Sequence, residues 1–118
     1  MKKIFKYDLG EDGAVVSLRG NFSRILDIET QGYIPRIWME IDDSYPEVEI
    51  NIVAIGTGWE IPEEYENWHY VKSTIVGPFV WHYYVDKNEF YNEEMIKLID
   101  KFNESNNVLE WFGDIFKS

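Results

Sequence analysis

The sequence predicts an α+β fold: a mainly antiparallel β-sheet or sandwich of about seven strands, followed by two C-terminal helices. The strands occupy residues 1–86 and the helices residues 87–118, as a helical extension of one 118-residue domain. Three observations predict this. Short runs through residue 85 alternate apolar and polar residues with period two. Gly-, Pro- and Asx-containing breaks separate those runs. Beyond Asn92 the apolar spacing changes to that of a helix.

Residues 3–9 set Phe5, Tyr7 and Leu9 against Ile4, Lys6 and Asp8, and residues 14–18 form a second strand after Gly10-Glu11-Asp12-Gly13. These two are expected to pair as a hairpin. Residues 24–30 are a third strand on the strength of their branched residues, although Leu26 and Ile28 alternate imperfectly with Arg24, Asp27 and Glu29. Pro35 marks a turn or bulge, because proline cannot serve a central ladder. In residues 36–42, Ile37, Met39 and Ile41 face inward and Trp38 is turned away from them. Residues 47–55 place Val48, Ile50, Ile52 and Ala54 on one face, and Val53 and Ile55 make the far end apolar on both. A sixth strand (70–76) and an aromatic seventh (78–85) flank Gly77-Pro78.

Asn92 is an N-cap with Glu93 and Glu94 in the first turn, and Met95, Ile96, Leu98, Ile99 and Phe102 make a helical face. Asn107 and Glu110 resemble a capping box for a last helix over residues 108–116. Its wide apolar stripe, with Trp111, Phe112, Ile115 and Phe116, predicts an interface for a homo-oligomer.

The net charge of −11 comes from 22 acidic and 11 basic residues, spread unevenly. Between Arg36 and Lys72 there is no basic residue, whereas nine acids fall there, among them Glu60, Glu63, Glu64 and Glu66. Such a field repels nucleic acid and anionic membranes and draws basic partners inward. The absence of cysteine removes disulfides and thiolate chemistry. No apolar run reaches the roughly 20 residues of a membrane span, and the basic start lacks an apolar segment behind it, so a cytoplasmic location is expected.

Chemistry concentrates in residues 55–84, which hold three of the five tryptophans and both histidines. Gly56-Thr57-Gly58 can present backbone amides to a phosphate or simply let the strand turn, and the dinucleotide and Walker fingerprints are missing. His69 and His82 lack metal-ligand spacing, so no metal and no cofactor are expected, and a buried structural ring is the plainer role for each. No pair of carboxylates and no nucleophile motif stands out, so an enzyme is not expected, and a metal-dependent hydrolase using His69 and His82 ranks a distant third. Aromatic rings can stack a planar ligand, with Arg36 or Lys72 neutralising a phosphate. The candidate ligand-binding residues are Arg36, Trp38, Thr57, Trp59, Lys72 and His82.

Several segments together resemble a family of small uncharacterised proteins of tailed bacteriophages and prophages. These are Ile4-x-Lys6-Tyr7-x-Leu9, Ile25-Leu26-x-Ile28, Pro35-x-Ile37-Trp38, Ile55-Gly56-Thr57-Gly58-Trp59-x-Ile61-Pro62, Tyr70-Val71-x-Ser73 and Val80-Trp81-His82. The resemblance covers residues 4–84. Members of that family carry histidine where this chain has Trp59, and they end soon after the last strand. The resemblance implies phage origin and a compact β domain; it carries no activity. A non-enzymatic host-takeover or anti-defence protein of the host cytoplasm is therefore expected. It would bind either a small nucleotide-like ligand at the aromatic and glycine-rich stretch or the basic groove of a host protein through Glu60, Glu63, Glu64 and Glu66. The alternative is a structural or assembly accessory of the phage particle.

Overall fold

In the computed structural model the described residues are 1–86, and they form two antiparallel sheets. β1 (Lys2–Asp8), β3 (Phe22–Gln31) and β4 (Ile34–Asp42) make one sheet in the order β1-β4-β3. β2 (Val15–Gly20), β5 (Val48–Gly56), β6 (His69–Val76) and β7 (Phe79–Val85) make the other in the order β2-β5-β7-β6. The fold is thus nearly all β, which overturns the expected α+β class. Among the described residues the helical content is a single 3-10 turn at Glu63–Tyr65. The two sheets cover each other: Ile25, Ile28, Ile37 and Met39 from one meet Ile50, Ile52, Val71 and Tyr83 from the other. The two expected helices, with Trp111, Phe112, Ile115 and Phe116, lie outside the described residues. No helix of the described residues is long and apolar enough to cross a membrane.

Connectivity departs from the expected first hairpin. β1 pairs with β4 along its whole length, from Lys2↔Asp42 to Asp8↔Arg36, while β2 pairs with β5 in the other sheet. The chain does turn at residues 11–14, where Asp12 and Gly13 take φ of 58° and 79° and Ala14 N–H donates to Glu11 O. That turn hands the chain across the sandwich, because Val16 and Leu18 find apolar partners in Ile52 and Ile50. The tight hairpins are β3–β4 and β6–β7, whose two-residue turns begin with Gly32 and Gly77 at φ 66° and 57°.

Two irregularities explain sequence patterns that misled. The register of β3 on β4 shifts between Phe22 and Arg24 and again between Ile25 and Asp27. The shifts bring Ile25 and Ile28 into the core although their spacing of three positions breaks the alternation, and Leu26 is only half-buried. Pro35 is inside β4, the central strand of its sheet, not in a turn. It is tolerated at the strand's start, beyond the last β1 partner, where its carbonyl accepts from Leu9 N–H at 2.8 Å.

Edge strands β3 and β6 join the two sheets. Thr30 and Thr74 hydroxyls meet at 2.9 Å, and Lys72 Nζ donates to Asp27 Oδ1 at 2.6 Å and to Glu29. Burial pulls the Lys72 ammonium down, but the hydrogen bonds to those two carboxylates outweigh it and leave its pKa above the ordinary lysine value. On the outer face of β4, Glu40 is nearly buried at 9% exposure. It accepts from Ser23 Oγ at 2.9 Å and from Arg24 Nε and Nη2 at 3.1 and 2.9 Å.

Burial pushes the Glu40 carboxyl up; hydrogen bonds from Ser23 and Arg24 more than offset this and hold it below the usual carboxylate range. A depressed carboxylate stabilises the fold above its unfolded pKa and loses that contribution as pH falls through the folded one. Wild-type protein is therefore expected to lose urea resistance between about pH 6 and pH 3, and Glu40→Gln to be the less stable protein at pH 6. The gap between the two midpoints should narrow towards the acid end. A gap independent of pH would show that the Glu40 charge does not stabilise the fold.

Candidate functional site

The residues around the end of β5 are arranged by a close approach at Gly56. Trp59 N–H donates to Gly56 O at 3.1 Å, and Gly58 takes φ 84°, so the chain doubles back and lays the Trp59 ring over Gly56. A Cβ at Gly56 would stand 2.7 Å from Trp59 Cε2, which only glycine avoids. The ring then meets Trp81 edge-on, with centroids 5.3 Å apart at 77°, and Trp81 in turn stacks with Phe79 at 5.9 Å and 27°. Trp81 belongs to the core, whereas Trp59 and Phe79 are 46% and 59% exposed.

Trp59 lines two clefts. The larger, about 660 Å³, is lined by Trp59, Phe79 and Trp81 together with Glu11 and Asp12 from the β1–β2 connection. Tyr83 fixes that connection: its hydroxyl donates to Gly10 O at 2.9 Å, and its phenol pKa is pushed well above the usual value, by burial first and by the charge of Glu11 second. The smaller cleft, about 240 Å³, also borders Trp59 and is lined by Ile55, Thr57, Ile61, His82 and Tyr84.

At the smaller cleft a line of polar groups crosses β5, β7 and β6. Thr57 Oγ1 is 2.8 Å from His82 Nε2, Ser73 Oγ is bonded to His82 Nδ1, and Tyr70 OH is 2.6 Å from Ser73 Oγ. Hydroxyls donate or accept as the ring requires, so either neutral tautomer of His82 is satisfied. The line can hold the imidazole and pass a proton to or from Thr57. It holds hydroxyls where a charge-stabilising carboxylate would orient a catalytic histidine. His69 sits apart from it, opposite Val85, while His82 faces Ser73 and Ile55. Among the described residues no group of three or more His, Cys, Asp or Glu is placed to hold a metal ion.

The expected ligand-binding residues thus separate into two groups. Thr57, Trp59 and His82 come together around the smaller cleft. Arg36 and Trp38 are on β4 in the other sheet, and Lys72 is at the seam between the sheets. Arg36 Nε is 3.1 Å from Asp8 Oδ1 and its Nη1 donates to Gln31 Oε1 at 2.7 Å, so this guanidinium, like the Lys72 ammonium, is engaged within the domain. Neither cation lines either cleft. Glu60, Glu63, Glu64 and Glu66 are all exposed on the loop that follows Trp59.

Residue-level reading missed the roles of Glu11, Asp12 and Phe79 at the larger cleft, because only the crossing of the β1–β2 connection brings the two acids to the aromatic end of β7. The link from His82 through Ser73 to Tyr70 was also missed, although hairpin register alone would have set Ser73 opposite His82.

A family model described as a domain of unknown function matches residues 1–94, and that match names no enzyme. No curated protein matches the chain, and no solved structure does. With a match over most of its length, the chain belongs to the DUF7352 family.

Proposed function

We propose that this domain acts by binding, not catalysis, and that its acidic loop engages the basic, nucleic-acid-binding groove of a partner protein. One observation carries the proposal. Glu60, Glu63, Glu64 and Glu66 are exposed and none is in an ion pair among the described residues, whereas Lys2, Arg19, Arg24, Arg36 and Lys72 are each paired with an acid elsewhere in the fold. The negative field is therefore uncompensated on one loop, where it steers a basic surface into register. A nucleotide-like ligand fits less well, because neither Arg36 nor Lys72 lines either cleft to neutralise its phosphates, and Glu11 and Asp12 at the larger one would repel them. The phage resemblance supplies the setting: a host-takeover or anti-defence protein that occupies such a groove as a polyanion does.

The test is capture of host proteins on the immobilised full-length chain, followed by competition with a DNA or RNA oligonucleotide. A captured basic protein should be released by the oligonucleotide and by raised salt. Changing Glu60, Glu63, Glu64 and Glu66 to Gln should weaken its binding by about tenfold or more. Binding indifferent to all three treatments would refute the proposal.

A further inference from the structure

We infer that the larger cleft is a receptor for an arginine side chain of a protein partner. The guanidinium would lie against Trp59 and Phe79 and pair with Glu11 and Asp12. This deepens the reading above and rests on it for the basic partner, but it uses different residues.

Three observations converge on the cleft. Phe79 and Trp59 leave ring surface open, at 59% and 46% exposure, over a buried Trp81 that holds both in place. Ring faces carry negative quadrupole density and attract cations. Glu11 and Asp12 supply the only charges lining the cleft among the described residues, and neither is in an ion pair there. Finally, Trp81 lines the cleft from a core position at 5% exposure, so the floor under the two open rings is fixed.

Arginine suits this combination better than other ligands. Its guanidinium is planar and weakly hydrated, so it can stack on an open ring while its fork of N–H donors meets a carboxylate. A lysine ammonium is more strongly hydrated and has no plane to stack. An anion would meet Glu11 and Asp12 as like charges.

The experiment follows the five indole N–H signals of ¹⁵N-labelled full-length chain. N-acetyl-arginine N-methylamide should shift the Trp59 and Trp81 signals saturably. The lysine analogue should bind about threefold more weakly or worse, and the glutamate analogue should leave the signals in place. The exposed pair Glu11→Gln and Asp12→Asn, which touches no core contact, should weaken arginine binding by about fivefold or more, and Phe79→Ala should do likewise. Absence of a saturable shift, equal shifts with the glutamate analogue, or full binding by the Glu11→Gln/Asp12→Asn protein would each overturn the inference. A cleft already filled by another segment of this chain or by a second copy would give the first of these results. The variant with Gln at positions 60, 63, 64 and 66 should retain the arginine titration. If the titration fails while salt-sensitive capture persists, the cleft assignment falls alone. If arginine binds but capture ignores the loop variant, the acidic-loop reading falls alone.

Discussion

Trp81→Ala is expected to destabilise the domain by about 3–5 kcal/mol, the largest single-residue effect anticipated among the cleft residues. Trp81 sits at 5% exposure where the core meets the cleft, between the edge-on ring of Trp59 and the stacked ring of Phe79. Truncation would leave a cavity bounded on one side by half-exposed rings, so water would enter and Trp59 would lose its support. Against a typical total stability of about 5–15 kcal/mol, the variant would be marginally folded at room temperature. Trp81→Phe separates size from polarity. It loses ring volume but also removes a buried N–H that has no acceptor among the described residues, so its cost should stay at about 1–2 kcal/mol. Urea midpoints of the three proteins decide the matter. A phenylalanine variant as unstable as the alanine one would mean that the indole nitrogen has a partner in solution.

The strands were legible because each buries one face, and a half-buried strand writes its burial into alternate residues. Ile37 and Met39, or Ile50, Ile52 and Ala54, are buried where period two places them. Val53 and Ile55, apolar on the face away from the main core, are buried as well, at 0% and 5% exposure. What alternation does not encode is which strand lies beside which. The turn at residues 11–14 has hairpin chemistry and still sends β2 into the second sheet, since pairing is decided by apolar matches with β5 about 35 residues away. The bulged register of β3 was equally hidden, because an extra residue merely shifts the pattern and looks like noise.

The same limit governs the candidate site. Thr57 and Trp59 were recognisable together because both follow directly on the end of β5, whereas His82, 25 residues from Thr57, reaches the smaller cleft only through the β5–β7 pairing. Arg36 and Lys72 drew attention as isolated cations in an acidic chain. Their partners, Asp8 for one and Asp27 with Glu29 for the other, come from paired or facing strands, so their engagement could not be read along the chain. The acidic character of the larger cleft was hidden for the same reason. Glu11 and Asp12 precede the aromatic strand they accompany, Phe79–Val85, by 67 or more residues, and the Tyr83 hydroxyl links the two by donating a hydrogen bond to Gly10 O.

Gly56 offers the sharpest test of how this end of the sandwich is built. As a strand terminator before Thr57-Gly58 it would tolerate alanine, whose methyl is small and whose backbone preferences a strand accommodates. The close approach says otherwise: a Cβ would fall 2.7, 2.9 and 3.0 Å from Cε2, Nε1 and Cδ2 of Trp59, the body of the indole and not a flexible tip. Gly56→Ala must therefore lift the ring from Trp81 or bend the loop that Trp59 N–H and Gly56 O close. Overpacking of this kind costs about 1–3 kcal/mol. In Trp59→Ala the obstructing ring is gone, so adding Gly56→Ala to that background should cost little, and the double-mutant cycle should show a coupling of about 1–2 kcal/mol. Arginine binding should fall in Gly56→Ala as well, because the displaced ring is one wall of the larger cleft. Additive destabilisation in the cycle would mean that Gly56 serves the backbone alone and that the indole does not constrain it.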